Sequence, residues 1–280
     1  MRYSKAARFS FCKNPVDSWP QYRPQHRTTL SHGDSPARAK VTLIDSADFR
    51  LGSAPSSSEE VQVWRIDLDA VASATAHWQS LLSQDEKDRA ARFHFDRDRL
   101  YFSAARGLLR TVLGTYLAIE PQKVRFHYSD KGKPELADPY ASSRLTFNLS
   151  HSGGAALIGL TRERAIGVDI EKIRDDFDTA AIARRFFSAK EQEQLARLPA
   201  EMRHRAFFRC WTLKEAFIKA LGEGLSHPLH QFDVFLDDQE PVSLVTRPDP
   251  AEAERWLLER VDAGPAHAAA VAVLRPTIRK

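Results

Sequence analysis

The sequence predicts a layered fold of mixed helices and strands, α+β or α/β, and three observations carry that expectation. Segments with the two-residue alternation of strands and segments with the 3.6-residue stripe of helices occur in mixed order in both halves of the chain. Of 280 residues, 42% are apolar and 28% charged, which suits one large core or two small ones. No apolar stretch approaches the length that spans a bilayer, so no membrane partner is expected.

The elements follow in order. Residues 1–58 are rich in Pro, Ser, Arg and His, bury too little apolar surface to offset ordering entropy, and read as a disordered extension without chemistry. Residues 1–40 carry eight Lys/Arg against Asp17 and Asp34, a net of +6; the whole chain is +4, which leaves −2 for the rest. The basic balance therefore belongs to the extension, and no nucleic-acid partner is expected. The first 30 residues lack a secretory apolar segment, and Cys12 and Cys210 are too few for a disulfide framework, so a cytoplasmic enzyme is the default.

Order is expected to begin with a strand at Val61–Ile66. A helix over Ser83–Phe93 is capped by Ser83, and a second over Asp98–Leu117 aligns Leu100, Ala104, Leu108 and Val112. Lys131-Gly132-Lys133-Pro134 reads as a turn. Strands are expected at Leu145–Leu149, Ala155–Leu160 and Ala165–Glu171, the last two close enough to form a hairpin. Helices follow at Thr179–Phe187, Ala189–Leu198 and Glu201–Leu221, the last ending at Gly222, and strands near Phe232–Leu236, Trp256–Val261 and Ala268–Leu274 close the chain.

Chemistry concentrates in four places. On a strand, Ile166, Val168 and Ile170 share one face, while Asp169 and Glu171 share the other with Gly167. Two neighbouring carboxylates repel, and a hard divalent cation such as Mg²⁺ relieves the conflict, although a solvated polar face would also accommodate them. In the aromatic helix Phe207–Ala220, Glu215 projects from the edge of the buried face with Lys219 at i+4, and Lys214 beside it. Phe147–Gly154 leaves a strand for a turn with exposed donors, fit for a phosphate. Ser150 and His151 point apart there, which argues against a hydrolase nucleophile–base pair. Lys131–Pro134 is a basic turn.

In order and spacing, Lys131–Pro134, Phe147–His151, Gly167–Glu171, Phe186–Glu191 and Trp211–Lys219, trailed by Gly222–Ser226, resemble the 4′-phosphopantetheinyl transferases of the surfactin-synthetase-activating type. The resemblance runs from Val61 to Leu274. It implies an α+β monomer of two similar subdomains in a pseudo-two-fold arrangement, here 59–165 and 166–280, with the active site in the cleft between them. It implies transfer of the phosphopantetheine arm of coenzyme A to a serine of an acyl or peptidyl carrier protein, dependent on Mg²⁺, with Mn²⁺ as a substitute. The resemblance assigns Asp169, Glu171 and Glu215 to the metal and Glu191 to a water-mediated role behind them. It sets Arg97 and His151 near the 3′-phosphate, Lys133 and Ser150 in the nucleotide pocket, and Lys214 and Lys219 at the diphosphate. Asp169, Glu215 and Lys219 become the catalytic set, with Glu215 as base. Arg110 matches a basic position of the family, and Arg184–Phe187 with Met202–Phe208 would dock the carrier. Fatty-acid, polyketide and nonribosomal-peptide carriers all fit. Two alternatives are a Mg²⁺-dependent phosphohydrolase or nuclease, and a non-catalytic binder of coenzyme A or carriers.

Overall fold

The computed structural model describes residues 28–29, 40–45, 54–55, 57, 59–71, 74–176, 178–234 and 242–276. Its elements are β1 (Thr28–Thr29), β2 (Lys40–Asp45), β3 (Glu60–Asp67), α1 (Leu68–Val71), α2 (Thr75–Ser80), α3 (Gln84–Ala90), α4 (Asp96–Leu117), β4 (Phe126–Tyr128), β5 (Pro134–Leu136), β6 (Leu145–Ser152), β7 (Ala155–Arg162) and β8 (Ile166–Lys172). They continue with α5 (Thr179–Phe186), α6 (Ala189–Arg197), α7 (Ala200–Leu221), β9 (Phe232–Val234), β10 (Leu244–Thr246), α8 (Ala251–Glu254), β11 (Trp256–Arg260) and β12 (His267–Leu274). The fold is α+β.

Two sheets and two long helices stack in four layers. The first sheet runs β1-β2-β3-β7-β6 and the second β11-β12-β8; only β2 and β3 pair in parallel. Period-two alternation sends each strand's side chains to opposite layers. Trp64 and Ile66 of β3 and Ile158 and Leu160 of β7 meet Leu108, Leu109 and Val112 of α4. On the other face, Val61, Val63 and Leu157 meet Ile166, Val168, Ile170, Val271 and Val273 of the second sheet. The outer face of that sheet, through Ala270 and Ala272, packs on Phe217 and Ile218 of α7. Helix α7 stops where Gly222 takes a left-handed φ of 79°.

Two expectations change here. Lys40–Asp45, assigned to the disordered extension, is a strand beside β3, with Val41 and Ile44 buried. Its β-branched run suits a pleated surface and outweighs the polar composition around it. Most of the rest of 1–58 lies outside the described residues, as do Phe235–Leu236 of the expected Phe232–Leu236 strand. The hairpin expected between β7 and β8 does not form: β7 pairs with β3 and β6, and β8 with β12. The link crosses between layers instead, and the layers come close there: a side chain at Gly159 would lie 2.6 Å from Val168 Cγ1. The missing Cβ lets the two strands stack face to face.

Candidate active site

Three elements converge: the edge of β6, the edge of β8 and the C-terminal half of α7. Gly167 sets the approach of β8 to α7, since a Cβ there would sit 2.1 Å from Ala216 O and 2.4 Å from the Ala220 nitrogen. Asp169, two residues on and on the same face, thus meets Lys219, whose Nζ donates to Asp169 Oδ1 at 2.5 Å; both side chains are buried. Lys219 Nζ also donates to Ser150 Oγ at 3.1 Å, and the Ser150 hydroxyl donates to Asp169 Oδ1 at 2.9 Å.

The junction of β6 with β8 is built from side chains. Asn148 Oδ1 accepts from the Val168 amide at 2.8 Å, Ser150 Oγ from the Ile170 amide at 3.4 Å, and Ser152 Oγ from the Lys172 amide at 3.2 Å. The polar face of β6 therefore satisfies the open edge of β8, which answers where those amide hydrogen bonds go.

The electrostatics are those of carboxylates short of positive charge. Burial drives the Glu171 pKa up to about 8, with the charge of Asp169 adding to it. Burial lifts Glu215 to about 7, opposed by Lys219 and reinforced by Asp169. Burial disfavours the Lys219 ammonium, yet Asp169 and Glu215 outweigh it and hold its pKa above the ordinary value. Asp169 Oδ2, Glu215 Oε1 and His151 Nε2 are sealed from water with no hydrogen-bond partner. Burial, Lys219 and Arg89 together push His151 down to about 4, so the ring is neutral.

Among the described residues, no three His, Cys, Asp or Glu side chains are gathered as a ready-made metal site. Mg²⁺ does not require such a cage, because it commonly takes one or two carboxylates and completes its shell with water and phosphate oxygens. Two unpartnered carboxylate oxygens and two raised carboxyl pKa values fit that donor chemistry.

Comparison with known proteins gives the family. Residues 69–161 match the family model "4′-phosphopantetheinyl transferase, N-terminal", and residues 165–272 match the 4′-phosphopantetheinyl transferase superfamily model. The 4′-phosphopantetheinyl transferase HetI of Nostoc sp. is 45% identical over 191 residues, 68% of this chain and 80% of that protein. The chain belongs to the 4′-phosphopantetheinyl transferases. It is an enzyme, and its reaction is the transfer of 4′-phosphopantetheine to carrier proteins. The human L-aminoadipate-semialdehyde dehydrogenase-phosphopantetheinyl transferase is 32% identical over 214 residues, 70% of this chain and 68% of that one. Among solved structures, a holo-(acyl-carrier-protein) synthase from Bacillus anthracis in complex with CoA (3′,5′-ADP) aligns over 40% of this chain and 96% of that one, with 20% identity and a TM-score of 0.33.

Within this transferase, several family-assigned side chains are engaged elsewhere. Lys214 is fully buried, donating to Glu191 Oε1 at 2.6 Å and to Phe232 O at 2.7 Å, with its Nζ 4.1 Å from the centre of the Phe232 ring. It does not join the Lys219 cluster. Glu191 accepts from the Ser188 and Val234 amides as well as from Lys214, so both of its oxygens are occupied in the C-terminal core. Lys133 Nζ donates to the carbonyls of Ile166, Lys219 and Ala220, which ties the β4–β5 hairpin to the C-terminus of α7. Burial lowers its pKa to about 8. Lys133 lines a cavity of about 680 Å³ together with Thr146, Arg164, Ile166 and Gly222, whereas Ser150 faces the carboxylates.

Arg97 is exposed, its guanidinium over the Tyr101 ring. The arginine whose charge reaches His151 is Arg89 of α3, which sequence reasoning missed. Arg110 binds the carbonyls of Pro121, Gln122 and Val124 and pairs with buried Glu86, a structural role. Of the expected docking residues, Phe187, Phe207 and Phe208 are core, while Met202 is 45% exposed. Among the described residues, no helix is long and apolar enough to cross a membrane.

Proposed function

We propose that the donor is coenzyme A, that the acceptor is a carrier-protein serine, and that the reaction is centred on Asp169, Glu215 and Lys219. The observation that carries this reading is the buried Asp169–Lys219–Ser150 cluster with unpartnered oxygens on Asp169 and Glu215. Asp169 and Glu215, with Glu171 alongside, would hold Mg²⁺, or Mn²⁺ in its place. When bound, the ion would neutralise charge on the diphosphate oxygens.

The serine hydroxyl attacks the β-phosphorus, the bond to the 3′,5′-ADP oxygen breaks, and Glu215 takes the serine proton. Lys219 stabilises the negative charge gathering on departing 3′,5′-ADP. His151, with the charge of Arg89 reaching it, would meet the 3′-phosphate, and the cavity beside Lys133 would take the nucleotide end. We further propose two subdomains, 59–165 and 166–280, in a pseudo-two-fold arrangement, acting as a monomer in the cytoplasm, where coenzyme A and newly made apo-carriers meet.

Incubating the chain with coenzyme A, Mg²⁺ and apo-carriers from fatty-acid, polyketide and nonribosomal pathways should raise a carrier's mass by one phosphopantetheine. Cleavage of coenzyme A without any carrier would favour a phosphohydrolase and overturn the proposal.

A further inference from the structure

We propose that Ser152 is a positioning residue that fixes the Glu171 carboxylate for cation binding. The inference rests on the metal reading above and assigns a role to a side chain at the far end of β6, outside the catalytic set. The β6–β8 junction has three rungs with a constant offset, Asn148 to Val168, Ser150 to Ile170 and Ser152 to Lys172. The β8 residues facing α7 lie one position before each amide: Gly167, Asp169 and Glu171. Where that residue is glycine, the β6 partner is an amide side chain that accepts and has no carboxylate to serve. Where it is an acid, the partner is a serine.

A hydroxyl has one proton to give. The Lys172 amide occupies an acceptor site of Ser152 Oγ at 3.2 Å, and the hydroxyl proton goes to Glu171 Oε2 at 2.8 Å. Ser150 repeats the arrangement with Asp169 Oδ1. The backbone edge thereby orients each serine, and each serine orients one carboxylate oxygen. Ser152 sits at the exposed end of the ladder, so water can replace it at the Lys172 amide. Its removal should disturb the carboxylate more than the fold.

Outer partners of metal-binding carboxylates are worth about 10–100-fold in metal affinity. Mn²⁺ binding to the full chain, followed by calorimetry or electron paramagnetic resonance, should weaken about tenfold in Ser152→Ala and recover to within about twofold in Ser152→Thr. In a Glu171→Gln background, Ser152→Ala should have no further effect, because the group it positions is gone. Thermal midpoints of the variants should stay close to wild type. Wild-type Mn²⁺ affinity in Ser152→Ala, or an undiminished Ser152→Ala effect in the Glu171→Gln background, would overturn the assignment. A wild-type chain that binds no Mn²⁺ would instead remove the metal reading itself.

Discussion

Replacing Gly167 with alanine should separate β8 from α7 and uncouple Asp169 from Lys219. The new Cβ would lie 2.1 Å from Ala216 O, 2.4 Å from the Ala220 nitrogen and 2.9 Å from the Lys219 carbonyl carbon. All three are helix backbone atoms, so no side-chain rotation relieves the clash. Ordinary contact begins near 3.4 Å, so strand and helix must part by about 1.3 Å, the difference from 2.1 Å. Overpacking a core costs about 1–3 kcal/mol, and a clash against rigid backbone belongs at the top of that range. At about 2–4 °C per kcal/mol for a chain of this size, the midpoint should fall by about 6–12 °C. A misplacement of about 1 Å between catalytic groups costs on the order of 100-fold in rate.

Differential scanning calorimetry reads the first effect, and carrier loading followed by mass spectrometry well below the midpoint reads the second. Gly264→Ala is the control. Its Cβ would meet nothing within 4 Å, so only the cost of its φ of 78° remains, about 1–2 kcal/mol with no change in rate. A Gly167→Ala enzyme with wild-type midpoint and rate would refute the argument that this glycine sets the geometry of the site.

Lys214→Met should leave the Glu191 charge buried and uncompensated, costing about 3–5 kcal/mol in calorimetry, and the Lys214→Met/Glu191→Gln double variant, which removes the charge but keeps an acceptor oxygen, should recover part of it. Glu215→Gln should lower carrier loading at least about 100-fold without lowering the thermal midpoint, since burial and Asp169 both oppose its charge; Asp169→Asn should lower loading as much and also lower the midpoint, because it breaks the buried pair with Lys219. His151 is held at about 4 against 6.5 in the unfolded chain, so its contribution is complete above pH 6.5 and is lost as pH falls towards 4, by at most about 3 kcal/mol. Because raised Glu171 and Glu215 slope the other way in both proteins, the His151 contribution is read from the difference between wild-type and His151→Gln urea midpoints, which should change across that window.

The long helices and β8 were legible because their signals are local: an apolar stripe fixes a helix, and the alternation of Ile166–Glu171 fixes which side chains share a face. The pairing of β8 was not legible, since proximity in sequence suggested a hairpin, whereas β8 pairs with β12, nearly a hundred residues on, and stacks on β7 across Gly159. Strand β2 was hidden by averaging, as Val41–Ile44 is a short β-branched run inside a polar segment. Lys214 was misjudged for a geometric reason available in the sequence. Neighbours on a helix point about 100° apart, whereas Glu215 and Lys219 are four apart and share a face. The same rule that joins Lys219 to Glu215 turns Lys214 towards Phe232 and Glu191. Arg89 left no such trace, because its approach to His151 joins α3 to β6 across 62 positions of chain.

The site lies where it does because the two sheets cannot continue into one another. An exposed β8 edge would leave buried amides unsatisfied, and β6 answers with side-chain oxygens instead of a backbone ladder. Polar side chains thereby enter a region walled by apolar layers, at a cost that is tolerable only because nearly every donor and acceptor finds a partner. The exceptions are then informative. Asp169 Oδ2 of β8, Glu215 Oε1 of α7, and Asn148 Nδ2 and His151 Nε2 of β6 come from the three elements that meet at the junction. Groups left unsatisfied inside a network otherwise closed are the ones a ligand would complete. Two of them are carboxylate oxygens beside Lys219, which a cation would complete, while the Asn148 amide nitrogen and the neutral imidazole would meet the oxygens of an anion. A metal-bound diphosphate with a phosphate monoester at its other end, the polar half of coenzyme A, presents both charges at once.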